Sequence, residues 1–503
     1  MRKRSISVIL CALLLLPSLS LLGGCGAQSA SVLRVYNWEE YIDEGGEGSY
    51  DYDYEIDENA PSMIDRFEDW YEETYGEKIR VEYSTFGTNE DLYNQLKLGN
   101  RYDLVCPSDY MIMKLAAENM LEPLDESFFE DSEENYYVNN VSPYIANVFE
   151  NGTMQIDGET HRWDEYAAGY MWGTTGLVYN PDLVSEEDLA QGWEILLDSK
   201  FKQKVTTKDN VRDTYFIGLA ICYQEELLAL KEQYENKEIS AETYNAAVTE
   251  IMNRTDEKSA ADVQKILLDM KENIFGFETD TGKSDMVKGT ILLNFAWSGD
   301  AVYAIDLAEE EEKYFNYYIP EEGSNLWFDG WVMPKGANKQ AAQAFINFLS
   351  MPENAVRNMY YIGYSSVIAG EEVFDYVLDT YGVEEGDEEE AVEYDLSYFF
   401  GEGHSVSTYE DQLYRQLYAQ YPREEVTYHC AVMDYYGEDD ARINELWTKI
   451  KGETLDAWAI AVICVAVVLI TLFVIFVKLG GKIDLFRPKP KKGYTRIKQE
   501  PVK

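Results

Sequence analysis

Six short segments between them supply aromatic rings, carboxylates and polar side chains: Tyr36-Asn37-Trp38-Glu39-Glu40-Tyr41, Pro107-Ser108-Asp109-Tyr110, Asp209-Asn210-Val211-Arg212-Asp213, Trp297-Ser298-Gly299-Asp300, Trp327-Phe328-Asp329 and Gly363-Tyr364. An ammonium ion needs these two partners: a carboxylate for charge-assisted hydrogen bonds and a ring face for cation–π attraction, about 0.5–2 kcal/mol apiece. Taken singly, each pair is an ordinary core aromatic next to a surface acid. Their recurrence points to a cleft for organic amines. Burying a diamine costs several kcal/mol per ion unless each charge is paired, so acids on different segments, such as Asp213 and Asp329, could hold its two ends. Ring walls between them would favour methylenes over an amino-acid zwitterion, and Arg212 is the one arginine in these segments that could take a carboxylate.

The elements that must position these residues follow from periodicity. Val32–Tyr36 reads as a strand and 61–75 as a helix with Met63, Ile64, Phe67, Trp70 and Tyr71 at helical spacing, closed by Gly76. Residues 79–84 read as a second strand, Asn89 as the cap of a helix through Leu98, and 104–106 as a short buried strand. This β-α-β-α-β order predicts an α/β lobe with a largely parallel sheet. Ligands of such sheets sit beyond the carboxyl ends of the strands, which places Asn37, Trp38 and Ser108 near a cleft. Residues 222–272 read as largely helical and 337–349 as an Ala-rich amphipathic helix ended by Met351-Pro352.

Charge and the chain ends bear on location. The 503 residues carry a formal net charge of −51, which disfavours nucleic acid, whose phosphates require a basic patch. Arg2, Lys3 and Arg4 precede an apolar run and Leu22-Gly23-Gly24-Cys25, the layout of a signal peptide over 1–24. The last four residues resemble the lipobox of bacterial lipoproteins, which makes Cys25 the expected lipidation site. Residues 457–477 are uncharged and long enough to be expected to cross a membrane, with 478–503 as a basic cytoplasmic tail. The chain is thus expected at the cell membrane, its bulk extracytoplasmic and its tail cytoplasmic.

Other chemistries find less support. Cys106, Cys222 and Cys430 are too few and too scattered for a disulfide framework, although one bridge is possible, and His161, His404 and His429 have no metal-ligand spacing with them. The acids Asp51, Asp53, Glu55 and Asp57 lack the glycine and spacing of an EF-hand loop. No Gly-x-Ser-x-Gly motif stands near the clusters, and no pair of carboxylates is set apart for glycoside hydrolysis. Neither enzymatic activity, a cofactor nor a metal is expected.

The chain resembles the periplasmic spermidine/putrescine-binding proteins of polyamine ABC transporters. The resemblance rests on Val35-Tyr36-Asn37-Trp38-Glu39-Glu40-Tyr41, Tyr102-Asp103-Leu104-Val105-Cys106-Pro107-Ser108-Asp109-Tyr110, Gly169-Tyr170-Met171-Trp172-Gly173-Thr174-Thr175-Gly176, Phe295-Ala296-Trp297-Ser298-Gly299, Leu326-Trp327-Phe328-Asp329 and Tyr361-Ile362-Gly363-Tyr364, in family order. It implies an α/β, two-lobed periplasmic-binding-protein-like fold that closes by hinge motion; the sequence adds the C-terminal transmembrane helix. Lobe 1 would comprise 32–175 and 328–371, lobe 2 would comprise 176–327 and 372–451, and the crossings would fall near Gly173–Gly176, Trp327 and Gly370. The implied function is capture of putrescine or spermidine and delivery to ABC permease subunits at the membrane. Trp38, Tyr110, Trp297, Trp327 and Tyr364 would form the aromatic box, Ser108 a polar contact, and Asp329 and Asp213 the two carboxylates. Asn210 stands where spermidine binders carry an acid, Glu39 where a hydroxyl residue is common, and a further polar contact would fall on Met433 or Asp434. A membrane-anchored sensor, or a binder of iron or another cation on the same fold, is the alternative.

Overall fold

The computed structural model describes residues 31–452 apart from 51–55, 131, 133, 385 and 387–390, together with 465 and 471. The expected β-α-β-α-β start is present as strand Ser31–Trp38, helix Met63–Tyr75, strand Ile79–Phe86, helix Asn89–Lys97 and strand Leu104–Val105. The first helix begins after Ser62, whose hydroxyl accepts from the Asp65 N–H while the Asp65 carboxylate accepts from the Ser62 N–H, a reciprocal cap. It ends at Gly76 with φ 67°, a left-handed conformation that glycine adopts without strain. The second helix departs from expectation: Thr88, not Asn89, caps it through the Asp91 N–H. Asn89, in the first turn, is thereby free for another role.

Hydrogen-bonded strands run in the order Ile79–Phe86, Ser31–Trp38, Leu104–Val105, Ser324–Pro334, Ala167–Tyr179, Leu293–Trp297, Val205–Lys208 and Gly276–Glu278. The first three are parallel to one another, as are the last three. Between these two parallel groups lie the two longest strands, Ala167–Tyr179 and Ser324–Pro334, antiparallel to each other and buried along their whole length. Neither strand carries a charged residue except Asp329. Ser324–Pro334 pairs with the first group at Val332 and Ala167–Tyr179 with the last at Thr175–Tyr179, so this antiparallel pair joins two α/β lobes. Near the crossover their register slips between Asp329 and Gly330, a bulge of the kind that re-aims a side chain.

Each lobe places a helix directly after a strand that points at the junction. Leu104–Val105 feeds helix Asp109–Ala117, Val205–Lys208 feeds helix Val211–Cys222, and Leu293–Trp297 feeds helix Ser298–Glu309. The expected helical stretch after residue 222 is three helices, Gln224–Glu235, Ala241–Met252 and Glu257–Asn273. The segment after 371 touches both lobes. Ser142 donates to the Phe399 carbonyl at 2.6 Å, Gln416 donates to Asp306 at 2.9 Å, and Cys430 pairs with Ser324.

Candidate functional site

At the junction, Asp329 is almost wholly buried. Its Oδ2 accepts the Tyr41 hydroxyl at 2.8 Å, while Oδ1 is buried without a hydrogen-bond partner. An isolated bridge pairs Asp329 with Ser108, and the Gly330 N–H donates to the Pro107 carbonyl at 3.1 Å, so the bulge is pinned to the start of the Asp109 helix. Burial pushes the Asp329 carboxyl up to about 7, against the lowering effect of the nearby Ser108 and Tyr41 hydroxyls. Asp213 pushes it the same way. Burial likewise pushes the Tyr41 phenol well above its ordinary value, which keeps it a proton donor.

Aromatic rings surround this carboxylate. Tyr364 lies edge-on to Tyr41 at 5.1 Å and to Trp327 at 5.7 Å between centroids. The Trp327 indole is held by donation from Nε1 to the Thr174 carbonyl at 3.2 Å. Glycine is required at 173, because a Cβ there would come within 2.7 Å of the Trp327 ring and strike the Ser298 hydroxyl. Trp38 packs on Phe86 at 4.6 Å; its ring is partly exposed and its Nε1 is buried without a partner.

The facing lobe supplies Asp213, also buried, whose Oδ1 accepts from Trp297 Nε1 at 3.4 Å. Burial raises its carboxyl to about 6, opposed by the Trp297 hydrogen bond and by Lys208 and Arg212. The neighbouring Arg212 guanidinium lies between the Tyr436 ring at 3.6 Å and the Tyr110 ring at 4.2 Å and donates to the Asp434 carbonyl. Tyr110, from the other lobe, receives the Asn89 amide at 3.0 Å and donates to Glu90 at 3.3 Å. Asn89 also holds Ser108, donating to its hydroxyl at 3.0 Å and accepting from its N–H at 3.1 Å.

The structure therefore brings Ser108, Tyr110, Asp213, Trp297, Trp327, Asp329 and Tyr364 into one contact network, with Trp38 beside it on the strand that ends there. Two candidates stand outside that network. Glu39 is exposed beyond the end of its strand, and the Asn210 Oδ1 is spent on capping the next helix, accepting the Arg212 N–H at 2.8 Å and the Asp213 N–H at 3.3 Å. Met433 is buried, and Asp434 contributes its backbone carbonyl to Arg212. Tyr41, Asn89 and Lys208 are not among the residues selected from sequence. Tyr41 carries the one signal that could have found it, its place beside Trp38 in the first aromatic segment. Cys106, Cys222 and Cys430 are free thiols. Among the described residues no cluster of three or more His, Cys, Asp or Glu side chains is placed to hold a metal.

Two α/β lobes joined by two long strands, with acids and rings converging at the junction, define a solute-binding protein that clasps its ligand between lobes. Residues 62–372 match the bacterial extracellular solute-binding protein family, and the chain belongs to it. Among curated relatives are the spermidine/putrescine-binding periplasmic protein of Salmonella typhimurium, 26% identical over 341 residues covering 67% of this chain and 78% of the relative, and a putrescine-binding periplasmic protein of Escherichia coli, 26% identical over 342 residues covering 66% and 76%. Among solved structures, the spermidine/putrescine ABC transporter substrate-binding protein of Streptococcus pneumoniae superposes with a TM-score of 0.53 at 26% identity, covering 84% of this chain and 99% of that one. A lipoprotein of Treponema pallidum shares the fold at a TM-score of 0.55 and 19% identity, with the same coverage. The curated relatives are named as binding proteins and the Streptococcus pneumoniae protein as the substrate-binding component of an ABC transporter; the chain is a binding component, not an enzyme.

One expectation is corrected. The curated relatives are named as periplasmic proteins, and among the described residues no helix is long and apolar enough to cross a membrane. A chain fixed in the cell membrane by a helix over 457–477, with 478–503 in the cytoplasm, is therefore not supported; hydropathy and the basic run behind it carried that expectation. Nearly all of 457–477, all of 478–503, the 1–24 leader, Cys25 and most of the acidic run at 51–57 lie outside the described residues.

Proposed function

We propose that the chain captures a polyamine, putrescine or spermidine, between its lobes and delivers it to the permease of an ABC importer. The observation that carries this reading is the Asp329 carboxylate: buried, ringed by Tyr41, Trp327 and Tyr364, and with one oxygen left without a partner. A buried unpaired acceptor is costly, and an incoming ammonium would satisfy it with a charge-assisted bond. Asp213 is the carboxylate for the opposite end of the ligand, and Trp38 and Trp297 are the walls for its methylenes. Hinge closure would bend the strands near Gly173–Gly176 and Trp327, and the leader with its lipobox-like end supports export and acylation at Cys25. The ligands for which the relatives are named agree with this chemistry.

The test is calorimetric titration of the full chain with putrescine, spermidine, amino acids and ferric ion. Polyamines should bind in the micromolar range or tighter and quench or enhance tryptophan emission, and Asp329→Asn should abolish the response. A chain that responds to no polyamine overturns the proposal.

A further inference from the structure

The strand Val205–Lys208 ends in a lysine that is 1% exposed. Its Nζ donates to Asp300 Oδ2 at 2.7 Å and to the Thr279 carbonyl at 2.9 Å, and stands 3.7 Å from Glu278 Oε1. The same ammonium lies 4.1 Å from the centroid of the Trp297 ring. A carboxylate and an indole face are the partners this junction offers to a ligand's ammonium, and here the chain supplies the ammonium itself. Trp297 in turn donates to Asp213, so Lys208 borders the ligand cleft through the wall residue they share.

The second carboxylate oxygen of Asp300 is occupied too: it accepts the Tyr364 hydroxyl at 3.0 Å and the Lys283 ammonium at 3.3 Å. Glu278 accepts from the Gly282 N–H at 2.8 Å and the Asn294 amide at 3.0 Å. Lys208 and Lys283 therefore face Asp300 and Glu278 within the protein, and Lys283 also pairs with the more exposed Asp280 at 2.6 Å. Around the cleft, Arg212 lies close to Asp440 at 3.7 Å and near Glu90, and Asp109 is tied to the Tyr110 and Phe328 N–H groups at 2.6 and 3.2 Å. Asp213 and Asp329 remain, held by neutral donors: Trp297 for one and Tyr41 for the other.

Resting on the polyamine reading, we propose that Lys208 is a resident ammonium that fills one cation position of the cleft, so that the site takes a dication between Asp213 and Asp329 and discriminates against a trication. A third ligand ammonium would find Asp300 already neutralised and would meet the like charge of Lys208 across Trp297. A structural ion pair without this role would leave ligand charge unselected. Negative selection by a placed like charge is a recognised route to specificity.

The test is calorimetry of the full chain, and of its Lys208→Met and Lys208→Met/Asp300→Asn variants, with putrescine and spermidine. The parent should bind putrescine about tenfold or more tighter than spermidine, a difference of roughly 1.4 kcal/mol. Lys208→Met removes the like charge and frees Asp300 Oδ2, with Lys283 and Tyr364 still on Oδ1, and should move the preference about tenfold toward spermidine; adding Asp300→Asn should move it back. A parent that binds spermidine as tightly as putrescine overturns the inference whatever the variants do. So does a folded Lys208→Met chain with an unchanged preference. A parent that binds neither overturns instead the polyamine reading on which the inference rests.

Discussion

The Tyr41 hydroxyl reaches Asp329 Oδ2 at 2.8 Å across 288 residues of sequence, so the loop after the first strand holds the acid on the strand that joins the lobes. Tyr41 is itself fixed, its carbonyl accepting the Tyr170 hydroxyl at 2.8 Å. Removing only the hydroxyl, by Tyr41→Phe, should leave the packing intact and deprive Asp329 Oδ2 of the Tyr41 donor. A hydrogen bond to a charged group is worth about 1.5–3 kcal/mol, so putrescine affinity should fall roughly tenfold to a hundredfold with little change in Tm. Calorimetry beside a thermal melt checks both; an unchanged affinity would count against Asp329 as the ligand's partner.

The raised carboxyls at Asp329, about 7, and Asp213, about 6, set the direction of two pH effects. Both acids bind protons more tightly in the folded chain than in the unfolded one, whose carboxyls titrate near 4. Their contribution to the stability of the free protein is therefore complete below about pH 4 and is lost as pH rises through 6 and 7. Asp329→Asn removes one ionising group, so its Tm advantage over the parent should widen between pH 5 and pH 8. Ligand binding runs the other way: an ammonium needs the ionised acids, so affinity should drop as pH falls from 8 to 5. Melts and titrations across that range, with Asp329→Asn as reference, would expose either sign as wrong.

Asn89 shows why part of the site was hidden. Thr88 and Asn89 are both good N-caps, and the chain gives no means of choosing between them; because Thr88 takes the cap, the Asn89 amide can hold Ser108 and Tyr110. The strands and helices around them were legible because their apolar period is local. Trp327 and Asp329 stood out because ring and acid adjoin in sequence. Lys208 did not, since its carboxylate partner lies 92 residues away and nothing near a strand-end lysine marks it as buried. The contacts that complete the cleft are long-range pairings, which a period-based reading cannot supply.

Gly299 separates stability from binding. It sits in the first turn of the helix Ser298–Glu309, where a Cβ would run into the Tyr364 ring. Alanine favours a helix over glycine by about 1 kcal/mol, whereas overpacking a closed contact costs roughly 1–3 kcal/mol. The second effect should win, because Tyr364 is wedged between Tyr41 and Trp327 and has little room to retreat. Gly299→Ala should therefore lower Tm slightly and weaken putrescine binding about tenfold or more as the ring is displaced. Equal affinity in the variant, measured by calorimetry, would show that Tyr364 does not line the ligand site.

Arg212 joins the lobes. Its guanidinium belongs to the helix after strand Val205–Lys208, yet it stacks on Tyr110 from the opposite lobe, while Lys114 of that lobe pairs with Asp440 beside it. A desolvated cation–π contact contributes about 2 kcal/mol, and that energy is available only when the lobes are closed. Arg212→Met keeps the apolar stem and removes the stacked plane; Arg212→Lys keeps the charge but not the plane that lies between two rings. Both should shift the free protein toward an open form, with a larger radius of gyration by X-ray scattering. Both should also speed ligand release, because a closed state that is less populated releases ligand more often. Stopped-flow dissociation faster by about tenfold, with association nearly unchanged, is the expected signature. A variant that stays equally compact and releases putrescine at the parent rate would show that Arg212 merely packs between Tyr110 and Tyr436 and does not hold the lobes together.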